Sequence, residues 1–403
     1  MNSSSNAQER MSLRGGLAFF AGFSAWTFDA FDFFILVYVV PHVAKDFHRS
    51  LADITATLTA SLLMRPVGAF FFGLIADRWG RRIPLMLDIA FYSVMEVLSG
   101  LAPTYRIFYI LRLLYGIGMG GAWGVGASLG MESVPTKWRG VLSGVLQEGY
   151  AIGNLLAAVA FWTVYPDWGW RPMFFIGVVP ALLTLLALFG VEESEAWKTA
   201  AAQKKSWGEY FEVITKNWKR FVYLVVLMAM MNFMSHGTQD LYPTFLQVER
   251  HFDTQVTAII SVISMIGAIV GGILVGLYSD RSGRRRAMVI ATVLAIFLIP
   301  LWIFAPNVAL ISLGAFLIQF MVQGAWGVIP AHITELSPGA TRAFLPGFAY
   351  QIGVLIAART PQFQAATAAR FGYAPTMAVF AAAVFVIGAI VIASGPEAHR
   401  KEF

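Results

Sequence analysis

The chain has 403 residues, of which 58% are hydrophobic and only 13% charged, and its mean hydropathy is +0.66. Soluble domains carry about 25% charged residues, so an assembly of two or three soluble domains is excluded. The formal charge of +6 is read as basic loops on the inner side of a membrane and not as a nucleic-acid surface, and zero cysteines rule out disulfides, cysteine-ligated iron–sulfur clusters and thiol chemistry.

Twelve apolar segments follow one another at 17–40, 53–75, 84–102, 105–128, 142–165, 171–190, 220–245, 256–279, 287–305, 307–330, 343–366 and 373–394. They are too long and too uniformly apolar for the strands of a membrane barrel and predict membrane-spanning helices. The first is longer than a signal-peptide core and is interrupted by Asp29 and Asp32, so it reads as a retained span. Between the sixth and seventh lies the polar stretch Glu192 to Lys219, which holds Trp207, Tyr210, Phe211 and Trp218. It reads as an amphipathic linker lying on the membrane surface. The expected organisation is a six-helix bundle at 1–190, a cytoplasmic linker at 191–219 and a second bundle at 220–403. With the termini and linker inside, 20 of the 29 Lys and Arg fall in inner segments and 6 in outer ones, which sets the orientation. The short termini point to a bacterial inner membrane.

The two halves repeat at a constant offset of 203 residues. Gly73, Asp77, Arg78, Gly80, Arg81 and Arg82 match Gly276, Asp280, Arg281, Gly283, Arg284 and Arg285. Gly121-Ala122-Trp123-Gly124 matches Gly324-Ala325-Trp326-Gly327, and Glu132 and Arg139 match Glu335 and Arg342. Six spans separate the copies, so both have the same orientation. The fold class is therefore an all-α membrane protein of twelve transmembrane helices in two parallel six-helix pseudo-repeats, an arrangement that puts a substrate site between the halves. The doubled Gly-x3-Asp-Arg-x-Gly-Arg-Arg loop, with Arg112-x3-Gly116-x-Gly118 in span 4, resembles the signatures of the major facilitator superfamily.

Ionisable residues inside spans are costly and mark candidate sites. Arg65 lies about 18 Å into span 2, near mid-membrane. It calls for an anion, either a substrate carboxylate or an internal pair with Asp29 or Asp32. Those two acids, three apart on one face, could share a proton or merely balance Arg65 or Arg112. Span 7 carries Asn232, His236 and Asp240 every four residues, joined by Gln239. An imidazole titrates at about pH 6.5, so such a stripe can load and release a proton. Pro243 should break the outer end of this helix and Gly237 should loosen it. Arg112, Tyr150, Gln319 and Gln323 are candidate cavity residues, although the two glutamines could equally bond across helices. Arg112, Glu96, Glu148 and Arg359 are expected to be buried and to pair among themselves. Asp77, Arg81, Glu132 and Arg139, with mates Asp280, Arg284, Glu335 and Arg342, form a candidate gating latch at the inner ends of the spans. The six histidines are scattered, so no metal site is expected, and no cofactor motif or nucleophile–base set appears.

Asn232-x2-Ser235-His236-x-Thr238-Gln239-Asp240-x3-Thr244 resembles the span-7 signature shared by carboxylate:proton symporters of the yeast Jen type and sialate:proton symporters. The resemblance implies proton–substrate coupling at His236 and Asp240 and substrate binding at Arg65, Asn232 and Gln239. From the residues themselves, Asp29 and Asp32 join the coupling candidates, and Ser235 and His236 join the substrate-binding candidates. The linker is too short and polar to hold the two extra spans of the sialate transporters. The chain is thus read as a symporter importing protons with a small monocarboxylate such as lactate or pyruvate, and it is expected to work as a monomer. The alternatives are a symporter of a larger organic acid (sialate or an aromatic acid) and, more distantly, a carboxylate sensor. No enzyme activity and no nucleic-acid partner are expected.

Overall fold

The structure is a computed structural model that describes residues 11–202 and 206–397. The basic residues Arg10, Lys204, Lys205, Arg400 and Lys401, assigned above to the inner side, lie outside the described residues. Among the described residues the regular structure is helical throughout, without strands. The first half comprises α1 (Leu13–Asp46), α2 (Leu51–Trp79), α3 (Arg82–Gly100), α4 (Tyr105–Ser133), α5 (Arg139–Gln147), α6 (Gly149–Trp168), α7 (Met173–Ile176) and α8 (Val178–Phe189). The connecting segment forms α9 (Glu195–Ala202) and α10 (Trp207–Lys216). The second half comprises α11 (Trp218–Gln239), α12 (Tyr242–Val248), α13 (Thr254–Ser282), α14 (Arg284–Phe304), α15 (Val308–Leu336), α16 (Phe344–Ala357), α17 (Thr360–Phe371) and α18 (Tyr373–Ser394).

Each of the twelve apolar segments is helical. Among the described residues, eight helices are long and apolar enough to cross a membrane by length and composition alone. The other four segments depart for local reasons. α4 is glycine-rich and carries Arg112, α7–α8 is short, and α5–α6 and α16–α17 are each broken in mid-segment, at Glu148 and near Arg359. The expected break in span 7 also occurs: α11 ends at Gln239 and α12 restarts with Pro243 in its first turn.

The repeat seen in the sequence is a repeat of backbone chemistry. Gly80 and Gly283 both take positive φ, +102° and +95°, a conformation that residues with a Cβ avoid, and so turn the chain between α2 and α3 and between α13 and α14. Single-turn helices at Thr136–Trp138 and Gly339–Thr341 stand 203 residues apart. Caps are duplicated even where identity is lost. Ser50 and Asp253 each accept a hydrogen bond from a first-turn N–H, of Asp53 and Val256, and Thr104 and Asn307 do the same for Ile107 and Leu310.

Packing follows the same symmetry. α2 lies along α4 as α13 lies along α15, and α1 packs on α6 as α11 packs on α16. The halves meet where α5 lies against α13 and α15, and again where α16 lies against α2 and α4. Glycines permit the first seam: a Cβ on Gly140 would run into the backbone of α13 at Gly276, and one on Gly144 would run into it at Gly272. The outer surface is apolar, with Phe20, Leu155, Trp162, Leu183, Phe297, Val379 and Ile390 exposed, as suits helices whose outer faces meet lipid.

Candidate functional site

At the end carrying the signature loops, the charges predicted as a latch interlock across the seams. Arg81 pairs with Asp77 at 2.7 Å and with Glu132 at 3.1 Å, and its mate Arg284 pairs with Asp280 at 2.8 Å and Glu335 at 3.2 Å. Each glutamate also holds an arginine of the opposite half: Arg139 reaches Glu335 at 3.1 Å and Arg342 reaches Glu132 at 3.5 Å. Asp77 accepts from the N–H groups of Ala343 and Phe344, at the start of α16, at 2.9 and 3.0 Å. Asp280 accepts from Gly140 and Val141, at the start of α5, at 2.9 and 3.2 Å. Carboxylates thus sit at helix N-termini of the opposite half, where backbone donors and the helix dipole favour negative charge. The side chains of these pairs are at most 6% exposed, so this end is closed.

The linker does more than rest on a surface. Tyr210 of α10 donates to Asp77 at 3.0 Å, Trp197 of α9 donates to the Asp77 carbonyl at 2.9 Å, and Ser194 donates to Glu132. Burial and then the Asp77 carboxylate push the Tyr210 hydroxyl far above the ordinary phenol range. Trp207 packs on Trp79, and Arg78 lies over its ring. Glu193 accepts from the Arg82 N–H, as Glu397 does from Arg284 and Arg285, so the duplication extends one element beyond what the fixed offset revealed.

Further into the bundle the paired tryptophans of the Gly-Ala-Trp-Gly repeats meet at one residue. Tyr350 of α16 stacks on Trp123 with centroids 4.5 Å apart and receives Trp326 edge-on at 5.9 Å. Trp26 joins at 6.3 Å and is itself stacked on Tyr150 at 5.6 Å. Trp123 donates to Gln147 and Trp326 to the Met231 carbonyl. Arg65 lies against this aromatic floor, its guanidinium carbon 5.9 Å from the ring centres of Trp26 and Tyr350. It is 3% exposed, and its Nε and Nη2 have no partner. The internal pair with Asp29 or Asp32, the alternative to a substrate carboxylate, is not formed: all four carboxylate oxygens of those residues are also without partners. Nor do the two acids bond to one another.

On α11, His236 Nδ1 lies 3.0 Å from Asp240 Oδ2, and the two side chains are 37% and 31% exposed. This pair is open while the latch end is shut. Gln239 donates to Gln319 at 2.7 Å, Gln319 to Thr238 at 3.0 Å, and Gln323 to Ser235 at 3.0 Å. The glutamines of α15 therefore bond across helices, the second of the two roles expected for them. Asn232 is buried and donates to the Met228 carbonyl of its own helix. Gly237 permits close packing: Phe380 fills the space a Cβ would need, and the Gly237 carbonyl accepts from Gln364.

Arg112 is not a cavity residue. It is enclosed within the first half, paired with Glu96 at 2.6 Å, bonded to Ser99 and set 4.4 Å from the Tyr115 ring centre. The other two charges expected to join that pairing do not: Arg359 is exposed, and Glu148 is buried with Oε1 unpartnered. Asp88, buried against Gly121 with both oxygens unpartnered, was missed by the reading of the sequence although it stands alone in an apolar run. Among the described residues no group of His, Asp and Glu could hold a metal ion.

A bundle of two matching six-span halves, closed at one end by a duplicated set of charge pairs and lined by a polar stripe, is the architecture of a membrane carrier. A sequence model described as Major Facilitator Superfamily matches residues 19–275 and, overlapping it, 241–402. The chain belongs to the Major Facilitator Superfamily and is an integral membrane transporter. It is 29% identical over 422 residues to a carboxylic acid transporter protein homolog of Saccharomyces cerevisiae, covering 95% of this chain and 68% of that one. It is 32% identical over 339 residues to the sialic acid transporter NanX of Escherichia coli, covering 82% of each. Its fold superposes on that of the proton:xylose symporter XylE with a TM-score of 0.75 at 18% identity, over 97% of this chain and 98% of that one, a likeness of fold alone.

Proposed function

We propose that the protein is an organic-acid carrier, and specifically a symporter that brings a proton and a small monocarboxylate such as lactate or pyruvate into the cell. The observation that carries the reading is Arg65, a buried guanidinium whose Nε and Nη2 are free. These two N–H groups form one edge of the fork and match the two oxygens of a carboxylate. A cation held there without a counter-ion favours an anionic ligand. The relatives named as carboxylic and sialic acid transporters support the same class of substrate.

In this mechanism the His236–Asp240 pair takes a proton from the open side. The carboxylate then settles on Arg65, with Asn232, Ser235 and Gln239 turning to its remaining polar groups. With charges matched, the halves at 1–190 and 220–403 rock about the α5–α13 and α16–α2 seams, and the latch opens. The acid leaves and the proton follows. The latch end, the linker and both termini face the cytoplasm, as the bias of Lys and Arg supports, and the membrane is the plasma membrane, a bacterial inner membrane. A single copy contains every residue used.

One proton with one monoanion carries no net charge, so uptake should follow the pH gradient and not the voltage. The test is uptake of labelled L-lactate by proteoliposomes, acid outside, with pyruvate, acetate, sialate and benzoate as competitors. Accumulation that a protonophore collapses and pyruvate blocks is expected. The aromatic floor of Trp26, Tyr150 and Tyr350 favours a second reading, a larger or planar acid. Flux of sialate or benzoate without lactate would select it.

A further inference from the structure

We propose that Glu148 is a second proton-binding site, separate from His236–Asp240, whose proton is held while the latch end is closed and passes to water when the halves part there. The proposal concerns the empty carrier and does not depend on which acid it transports.

Glu148 sits at the break between α5 and α6, on the seam between the halves. It is 4% exposed, and its Oε1 has no hydrogen-bond partner. That oxygen occupies the space a Cβ on Gly272 would fill, so the carboxyl is pressed on the α13 backbone of the opposite half. Around it, Trp26 and Thr27 of α1 pack on Gly149, and Gln147 is held by Trp123. The charged and titratable groups on the elements packed around it include Asp29 and Asp32 on α1, Asp280 and Arg281 on α13, and His332 and Glu335 on α15, with Arg139 and Tyr150 on the helices either side of the break. None of them pairs with Oε1. An ionised carboxylate enclosed without a counter-charge is too costly to keep, and a proton removes the charge.

The repeat supplies a second, independent argument. The residue 203 positions on is Gln351, which is 1% exposed with both amide atoms unpartnered. A glutamine amide has nearly the shape of a protonated glutamic acid. The fold therefore places a neutral group of this shape at the same point of both halves, and only the first can change its charge. Parting α5 from α13 brings Glu148 into water, where it ionises and gives its proton to the solvent on the latch side. The closed end then binds one more proton than the open end. Its share falls as pH rises, by up to about tenfold per pH unit for a single proton.

The chain lacks cysteine, so Ser128→Cys gives a single reporter. Ser128 is buried on the closed seam, where it donates to the Arg342 carbonyl. Maleimide labelling of full-length protein in nanodiscs, without substrate, is followed across about three pH units around neutrality. The rates are normalised to those of the exposed reporter Trp168→Cys. With Glu148 intact, normalised labelling should rise towards tenfold per pH unit. Glu148→Gln should label slowly with no slope, and Glu148→Asp should keep a slope with its midpoint displaced. A flat profile with Glu148 intact overturns the proposal, as does an unchanged slope in Glu148→Gln. Should the Gln variant not fold, an unmoved midpoint in Glu148→Asp overturns it equally. Failure to transport lactate would leave these readings untouched.

Discussion

Asp77→Ala should unlock the closed end. Asp77 accepts two backbone hydrogen bonds from the opposite half, at 2.9 and 3.0 Å, with its side chain 0% exposed. Bonds to a charged group contribute about 1.5–3 kcal/mol each. Taking the lower value for both, the closed state loses about 3 kcal/mol relative to the open one, in which those contacts are already absent. Since 1.4 kcal/mol is a factor of ten, the open population rises on the order of 100-fold. Arg81 keeps Glu132, so the pocket retains an anion. Labelling of Ser128→Cys reads the change directly, and it should accelerate by about that factor while the reporter in the unaltered chain stays protected. Acceleration below about twofold in folded Asp77→Ala would refute the idea that this carboxylate holds the two halves together.

Other expectations follow from the same contacts. Arg65→Lys keeps the charge but loses the fork, and should raise the KM for the transported acid at least about tenfold with a smaller effect on the maximal rate; an unchanged KM would remove Arg65 from the binding site. His236→Ala should abolish accumulation driven by a pH gradient, measured as uptake against a protonophore control, and full accumulation would end its proposed role. Gly144→Ala drives a methyl into the Gly272 carbonyl and should cost the closed state about 1–3 kcal/mol, seen as faster Ser128→Cys labelling. Tyr210→Phe removes one buried bond to Asp77 and should speed that labelling about fivefold, corresponding to about 1 kcal/mol; equal rates would make the linker a passive tether.

The sequence announces the fold because a bilayer forces long apolar runs and because the duplication repeats whole loops. The latch residues were legible for the same reason: acid and base recur at one offset, and the structure joins them. What crosses between elements was not legible. Nothing local to Tyr350 shows that Trp123 and Trp326 converge on it, or that Tyr210, one aromatic among several in a polar run, bonds a carboxylate 133 positions away. Arg112 and Glu96 paired as expected, but Glu148 did not, since spacing cannot say that a glycine of another helix leaves room for it. The glutamines of α15 chose helix partners over an open face, which depends on the closed arrangement of the halves.

The linker that clips onto Asp77 runs into the helix bearing His236 with only Asn217 between α10 and α11. The two helices are thus a short arm and a long arm on a common pivot. His236 stands 19 residues beyond Asn217, about 28 Å along the axis at 1.5 Å per residue. A tilt of about 5° at the pivot displaces the imidazole by about 2.5 Å, on the order of a hydrogen-bond length, from this lever length. Since Asp240 caps the same helix, a tilt too small to disturb packing at the base carries the His236–Asp240 pair as a unit by that distance at the far end.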